Sequence, residues 1–289
     1  MNLPADKQTL LDSLVTRLSA IPGVRAVVLG GSYARGMQRP DSDLDVGIYY
    51  SEREPFSIAA IRAAAAAISE QGEPDVTDFY GWGPWVNGGA WIHTAAGKVD
   101  FIYRNLEQVQ RAIDDARQGI VQHDFNQQPA YGFYSVIYLA EIQACVPLFD
   151  PGSSIAQMKA EVAVYPPRLK EKWSADTLWM AEFSLIHAQG YGEAANVYAA
   201  VGALTRAAAY LTQALFALNE TYVMGDKTAV KEIAAFAHAP GGYGERLSAI
   251  LARPGQSPDE LLAAVRAMRG LWAEVVTLTG GLYKPAFRL

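Results

Sequence analysis

Beyond about residue 155 the strand pattern stops. Alternating apolar and polar runs occur only before that point. After it, apolar residues recur at helical spacing over roughly 154–164, 174–190, 193–219, 228–237, 243–252 and 257–279. Mixed strand and helix followed by helix alone predicts two domains. The first, over 1–155, is expected to be α/β (α+β) with a small mixed sheet; the second, over 156–289, an all-α helical bundle. No internal repeat of fixed period is visible.

Within the first part, Leu10, Leu11, Leu14 and Leu18 give residues 5–20 a helical face that Pro22-Gly23 ends. "VRAVVLG" reads as a short buried strand and "DLDVGIYY" as a second. "SIAAIRAAAAAISEQG" is helical by alanine content and closes at Gly72. "DVTDFYGW" is expected to be a strand, and "AWIHTAAGKVDFIYR" a hairpin turning at Ala96-Gly97. "NLEQVQRAIDDARQG" is a helix with Asn105 as its N-cap, "FYSVIYLAEIQA" another helix, and "CVPLFDPG" a strand closed by a turn.

Composition narrows the function. At 51% hydrophobic and 19% charged the chain has ample material for a core, so disorder is excluded as a class. A net charge of −6 argues against a nucleic-acid binder that works by neutralising phosphates. Cys145, the single cysteine, has no partner for an internal disulfide, which fits a reducing compartment. The N-terminus lacks the pattern of a secretory signal. The longest Ala/Leu-rich segment is broken by Arg206 and Gln213, so no membrane span is expected. Together these features predict a soluble, cytoplasmic protein of unknown oligomeric state.

The chemistry concentrates in "VVLGGSYARGMQRPDSDLDVGIYY", residues 27–50. Residues i and i+2 of a strand share a face, so Asp43 and Asp45 lie on one side, about 7 Å apart, while Leu44, Val46 and Ile48 take the other. A paired hard-oxygen site with open positions suits Mg²⁺, which usually takes one or two carboxylates plus substrate phosphates. Upstream, Gly30 and Gly31 allow close approach of the backbone to a ligand. Ser32 is expected to cap the following helix, whose free N–H groups form an anion site. A phosphate cradle ten residues before a metal strand points to a metal–nucleoside triphosphate. Asp100 in "GKVDFIYR" supplies a third carboxylate if its strand lies beside "DLDV", either holding a second ion or taking a proton from an attacking hydroxyl.

This pattern, Gly30-Gly31-Ser32 followed by Asp43-Leu44-Asp45-Val46 and a later Asp100, resembles the signature of the DNA polymerase beta-type nucleotidyltransferases. The closer resemblance is to bacterial nucleotidyltransferase-domain proteins with a helical C-terminal half, a group that includes the aminoglycoside and lincosamide nucleotidyltransferases. "GPWVNGGAWIHTAAGKVDFIYRNL" and "LFALNETYVMGDKTAV" are also similar to segments of that group. The resemblance implies a nucleotidyltransferase domain followed by a helical bundle, with the active-site cleft between them. It implies transfer of a nucleoside monophosphate, with ATP the expected donor, to a hydroxyl of a small molecule such as an antibiotic, with release of pyrophosphate. Asp43, Asp45 and Asp100 would hold two Mg²⁺ ions, and Gly30, Gly31 and Ser32 the β/γ-phosphates. Asn219, Tyr222 and Lys227, where one helix ends and the next begins, would face the triphosphate; the plainer reading of Lys227 is a solvated lysine beside a helix cap.

Other residues are less specific. Trp82, Trp85 and Trp91 surround a glycine-rich loop and either stack on a ligand or pack in the core. Trp173, Trp179, Phe183 and Tyr191 fit helix packing. Arg206 either pairs with a buried acid or faces the cleft; Arg35 and Lys98 flank the motif residues. His93 has no spaced partners and makes no metal site. Glu182 and Glu193 are acids a base could be drawn from, though no spacing rule singles them out. Two further functions stay open: nucleotidylation of a protein or RNA acceptor, and a nucleotide-binding regulator without turnover.

Overall fold

The computed structural model describes residues 3–127 and 129–287. The chain divides into two compact units, Met1–Asp114 with Gln122–Val164, and Asp115–Val121 with Tyr165–Leu289.

The first unit is built on a six-stranded mixed sheet. In chain order its elements are α1 (Ala5–Ser19), β1 (Val24–Leu29), the single turn α2 (Gly31–Ala34), β2 (Leu44–Tyr50), α3 (Ile58–Ala66), β3 (Asp75–Val76), β4 (Gly89–Thr94) and β5 (Gly97–Asn105). Then come α4 (Leu106–Arg117, crossing into the second unit), β6 (His123–Asp124), β7 (Phe133–Tyr134), α5 (Val136–Ala144), β8 (Val146–Phe149) and α6 (Ser154–Val162). The strand order is β3-β4-β5-β2-β1-β8; β2 and β5 run parallel and the other pairs antiparallel. One face is the core. Leu44, Val46 and Ile48 of β2, and Val99, Phe101 and Tyr103 of β5, cluster with Leu11, Leu14 and Leu18 of α1 and Ile61 of α3. The alternation that buries these residues sends Asp45, Asp100 and their neighbours to the opposite face.

The second unit contains the helices α7 (Pro167–Glu193), α8 (Val197–Leu218), α9 (Asp226–Ile233), α10 (Tyr243–Ala252) and α11 (Pro258–Leu278), packed around a core of Leu178, Leu185, Leu204, Leu211, Leu215 and Met268. By length and composition α8 could cross a membrane, but 72% of its apolar window is buried in this structure. The mixed sheet followed by helices matches the expected fold class.

Several local expectations need correction. The α7 helix starts at Pro167 rather than 174, because a proline at the first helical position is pre-organised and gives up only an orphan N–H. It also runs on to Glu193, where Ala195 at φ 53° breaks the chain and the Asn196 side chain caps α8 through the Ala199 N–H at 3.1 Å. The expected strand over "DVTDFYGW" shrinks to Asp75–Val76, since Tyr80, Gly83 and Asn87 all take positive φ and fold the chain into a loop. Phe133 and Tyr134 belong to the β6–β7 hairpin, not to a helix. Ser135 closes that ladder, its N–H donating to the Gln122 carbonyl at 2.9 Å and its Oγ accepting from the Gln122 N–H at 3.0 Å.

Candidate active site

The glycine turn and β2 are built against each other. The Gly30 N–H donates to the Asp45 carbonyl at 2.8 Å, which carries the β1–β2 pairing one step past β1. Gly31 follows at φ 56°, the left-handed region that favours glycine. A Cβ there would fall within the Asp45 carboxylate and lie 3.0 Å from its Cβ. Only glycine lets the backbone run this close to that side chain. The expected capping role of Ser32 is not what is found: Gly30 is the N-cap of α2, and Ser32 is the second residue of the turn. The chain enters the turn at the first glycine, so Ser32 brings its hydroxyl and N–H to the start of α2 from within.

Asp45 and Asp100 are partners in register across the parallel β2–β5 pair. Adjacent strands lie about 4.8 Å apart, and partners in register share a face, so these two half-buried carboxylates stand side by side. Asp43, also half-buried, sits one residue before β2. Its loop is tied down by Ser42, which accepts from the Arg39 N–H at 2.9 Å, and by Lys7 of α1, whose Nζ donates to the Ser42 carbonyl. Among the described residues no three His, Cys, Asp or Glu side chains form a ready-made metal cluster. The donor set does fit Mg²⁺ in its usual protein setting, one or two carboxylates completed by phosphate oxygens and water. Asp45 and Asp100 would hold the ion, with Asp43 the third carboxylate of the stretch.

Lys7 is a site residue the sequence reading missed. It is 7% exposed, and its ammonium lies 5.0 Å above the Tyr33 ring of α2. A signal existed: positions 7, 11, 14 and 18 form one helical stripe, and the other three are core leucines. A lysine on that stripe must reach an acceptor inside, and it finds the strand-entry loop.

Beyond Asp100 the same sheet row continues to Trp91, and from Trp91 to Asp75. Trp82 stacks on Trp91 with centroids 4.8 Å apart and planes at 24°. Trp91 remains 58% exposed. Trp85 takes the other course, packing against Phe133 and Tyr138. The loop bearing Trp82 is held from inside: Gln127 Nε2 donates to the Trp82 carbonyl at 2.7 Å, and buried Asn87 accepts from the Asn105 N–H at 3.1 Å. Asn105 also caps α4 through the Gln108 N–H at 3.0 Å, as its sequence position suggested. Lys98 and His93 are exposed register partners at the strand ends, and Arg35 closes α2.

In the second unit, Asn219 donates to the Leu215 and His238 carbonyls at 2.7 and 2.8 Å and accepts from the His238 N–H at 2.9 Å, joining the end of α8 to the segment after α9. Tyr222 is buried and stacks on Tyr165 at 4.7 Å; burial pushes its phenol up to about 12. Lys227 is exposed in the first turn of α9. Glu182 is fully buried. It accepts from the Tyr283 hydroxyl and from the Ala286 and Phe287 N–H groups, the latter two at 3.0 and 2.9 Å, so it anchors the C-terminal segment to α7. Exposed Glu193 accepts from Gln189 at 2.8 Å. Arg206 is exposed, so pairing with a buried acid drops out. Trp173 packs inside, but Trp179, Phe183 and Tyr191 form a partly exposed ladder with His187 along α7, contrary to the packing role expected of them.

Residues 10–86 match the nucleotidyltransferase domain family, a span that carries the glycine turn, Asp43 and Asp45 and stops before Asp100. No curated protein matches the chain. Among solved structures, the chain is similar to the crystal structure of a nucleotidyltransferase-like protein from Exiguobacterium sibiricum 255-15, with 9% identity, a TM-score of 0.49, and coverage of 96% of this chain and 78% of that one. The likeness to a nucleotidyltransferase domain thus covers residues 10–86, and the family description names no aminoglycoside or lincosamide subgroup.

Proposed function

We propose that the protein is a Mg²⁺-dependent nucleotidyltransferase that moves a nucleoside monophosphate from an NTP, with ATP the first donor to test, onto the hydroxyl of a small molecule. The observation that supports this reading is the in-register Asp45–Asp100 pair packed against Gly31, inside or beside the matched family span. The N–H groups of Gly31 and Ser32, at the open start of α2, receive the β/γ-phosphates. Asp45 and Asp100, with Asp43, hold the metal. When bound, Mg²⁺ supplies charge neutralisation at the phosphates and at the attacking oxygen. The acceptor oxygen forms a bond to the α-phosphorus as the α–β anhydride bond breaks. The hydroxyl proton passes to the Asp100 carboxylate, and pyrophosphate leaves toward the glycine turn. Lys7 positions the Asp43 loop and touches no substrate in this scheme.

Calorimetric titration of the four NTPs, with and without Mg²⁺, into the wild-type and Asp45→Asn proteins tests the reading. Binding by wild type that requires Mg²⁺ is expected, weakened about tenfold or more in the variant. Absence of Mg²⁺-dependent binding for every NTP in a folded wild-type protein would sink it.

A further inference from the structure

Neither the metal nor the triphosphate of the proposed function accounts for the Trp82–Trp91 pair on this sheet face. Across the strands, Gly30 adjoins Asp45 on one flank, while Trp91 is the register partner of Asp100 on the other. Three strand spacings separate the glycine turn from Trp91, roughly 14 Å. An in-line displacement puts the attacking and leaving oxygens on opposite sides of the α-phosphorus. With pyrophosphate leaving toward the glycine turn, the acceptor must enter from the Asp100–Trp91 flank.

That flank has a defined chemistry. Trp91 offers a flat ring that is 58% exposed while its partner, Trp82, backs it at 4.8 Å. The pair is rigid: Gln127 and Asn87 hold the Trp82 loop, and an added Cβ on Gly89 would lie 2.7 Å from the Trp82 ring, so the indole rests on the glycine backbone of β4. Carboxylates stand in register on both sides of Trp91, Asp100 on β5 and exposed Asp75 on β3. An indole face takes the apolar C–H face of a ring, and flanking carboxylates take hydroxyl hydrogens. We infer that Trp91, backed by Trp82, binds the acceptor of the transferase, and that this acceptor is a polyhydroxylated saturated ring, a sugar or a cyclitol, stacked on the indole with one hydroxyl delivered to Asp100.

This inference rests on the transferase reading, so the test separates the two. Pyrophosphate release from MgATP is measured with myo-inositol, glucose, the acyclic polyol sorbitol and the aromatic alcohol tyramine, in the wild-type, Trp91→Ala and Trp91→Phe proteins; MgATP affinity is measured in parallel. Expected is stimulation above the basal rate by a ring polyol and not by sorbitol. In Trp91→Ala the KM for that polyol should rise about tenfold, with recovery in Trp91→Phe and no change in MgATP affinity. Equal stimulation by sorbitol, stimulation by tyramine alone, stimulation by none of the four, or an unchanged KM in Trp91→Ala would each overturn it. Loss of MgATP affinity in Trp91→Ala would assign the indole to the nucleotide base and overturn it as well. If wild type binds no MgATP, the transferase reading itself has failed and this inference goes with it.

Discussion

One face of the central sheet carries charge at both ends and treats it in opposite ways. Along β5 the side chains of Asp100, Ile102 and Arg104 point the same way, and along β2 those of Asp45 and Tyr49 do, with Gly47 between them on that face. At the Arg104 end α5 covers the sheet. Arg104 is 4% exposed and donates to both Glu141 oxygens, at 2.7 and 2.6 Å, while its remaining nitrogen serves the Val86 and Tyr103 carbonyls at 2.9 Å. Tyr49 beside it is buried, and burial raises its phenol well above its ordinary value. At the Asp100 end Asp45 and Asp100 are half-buried and Trp91 is exposed. The lesson is that a buried charge completed by fixed protein partners rigidifies a fold, while a carboxylate pair left accessible is available to a ligand.

The largest effect should come from the covered end. Glu141→Ala strands Arg104 in a site with little water, which costs about 3–5 kcal/mol and lowers the melting temperature by roughly 10 °C in a thermal scan. A loss below about 1 kcal/mol would mean that the bidentate pair is not the structural lock described. Next comes Asp100→Asn at the open end. Transfer should fall by about a hundredfold or more, some 2.7 kcal/mol of transition-state stabilisation, while the melting temperature stays within a few degrees of wild type. If Asp100→Asn instead lowers the melting temperature by roughly 10 °C and leaves the transfer rate of the folded protein intact, the two ends have been assigned the wrong way round. Smallest is the response of Cys145, 4% exposed near the covered end, whose thiol burial pushes up to about 11. At pH 8 it should alkylate at least about a hundredfold more slowly than in denatured protein, and rise through alkaline pH as the thiolate forms. Rapid alkylation at pH 8 would show that α5 opens readily.

Much of this face was legible in the sequence because its signals are local. The alternation of Leu44, Asp45 and Val46 and the Asn105 cap depend on neighbours a few positions away and appear where their pattern placed them; the hairpin turns one residue earlier than expected, at 95–96 with Gly97 already paired to Thr94, and Asp43 falls just before β2. The pairing of Asp45 with Asp100 followed once the two strands were taken to be adjacent. What escaped depends on partners far along the chain. Lys7 serves the loop at Ser42, Gln127 holds the loop at Trp82, and Glu182 receives the chain at Phe287. The helical stripe marks Lys7 as buried, but no period or spacing names the partner in any of these cases, since each polar group is satisfied by whatever the fold brings to it. Ser32 failed for a different reason. Two glycines precede it, and the first already starts the turn, so the usual preference for serine at a cap did not decide the boundary.

The parallel β2–β5 pair gives the chain a grammatical form, a parenthesis that opens at Asp45 and closes at Asp100. Everything inside it, α3, β3, the Trp82 loop and β4, returns to the same register however long the clause becomes. A one-residue slip within β5 would turn Asp100 inward and destroy the centre. Rewriting the exposed part of the loop around Trp82 leaves that pairing alone, whereas Val86 and Asn87, which serve Arg104 and Asn105, are part of the frame. On the proposed reading, a protein library diversified at the exposed positions 80, 81 and 84 should therefore yield variants that keep Asp45 and Asp100 in register while differing in the molecules they accept.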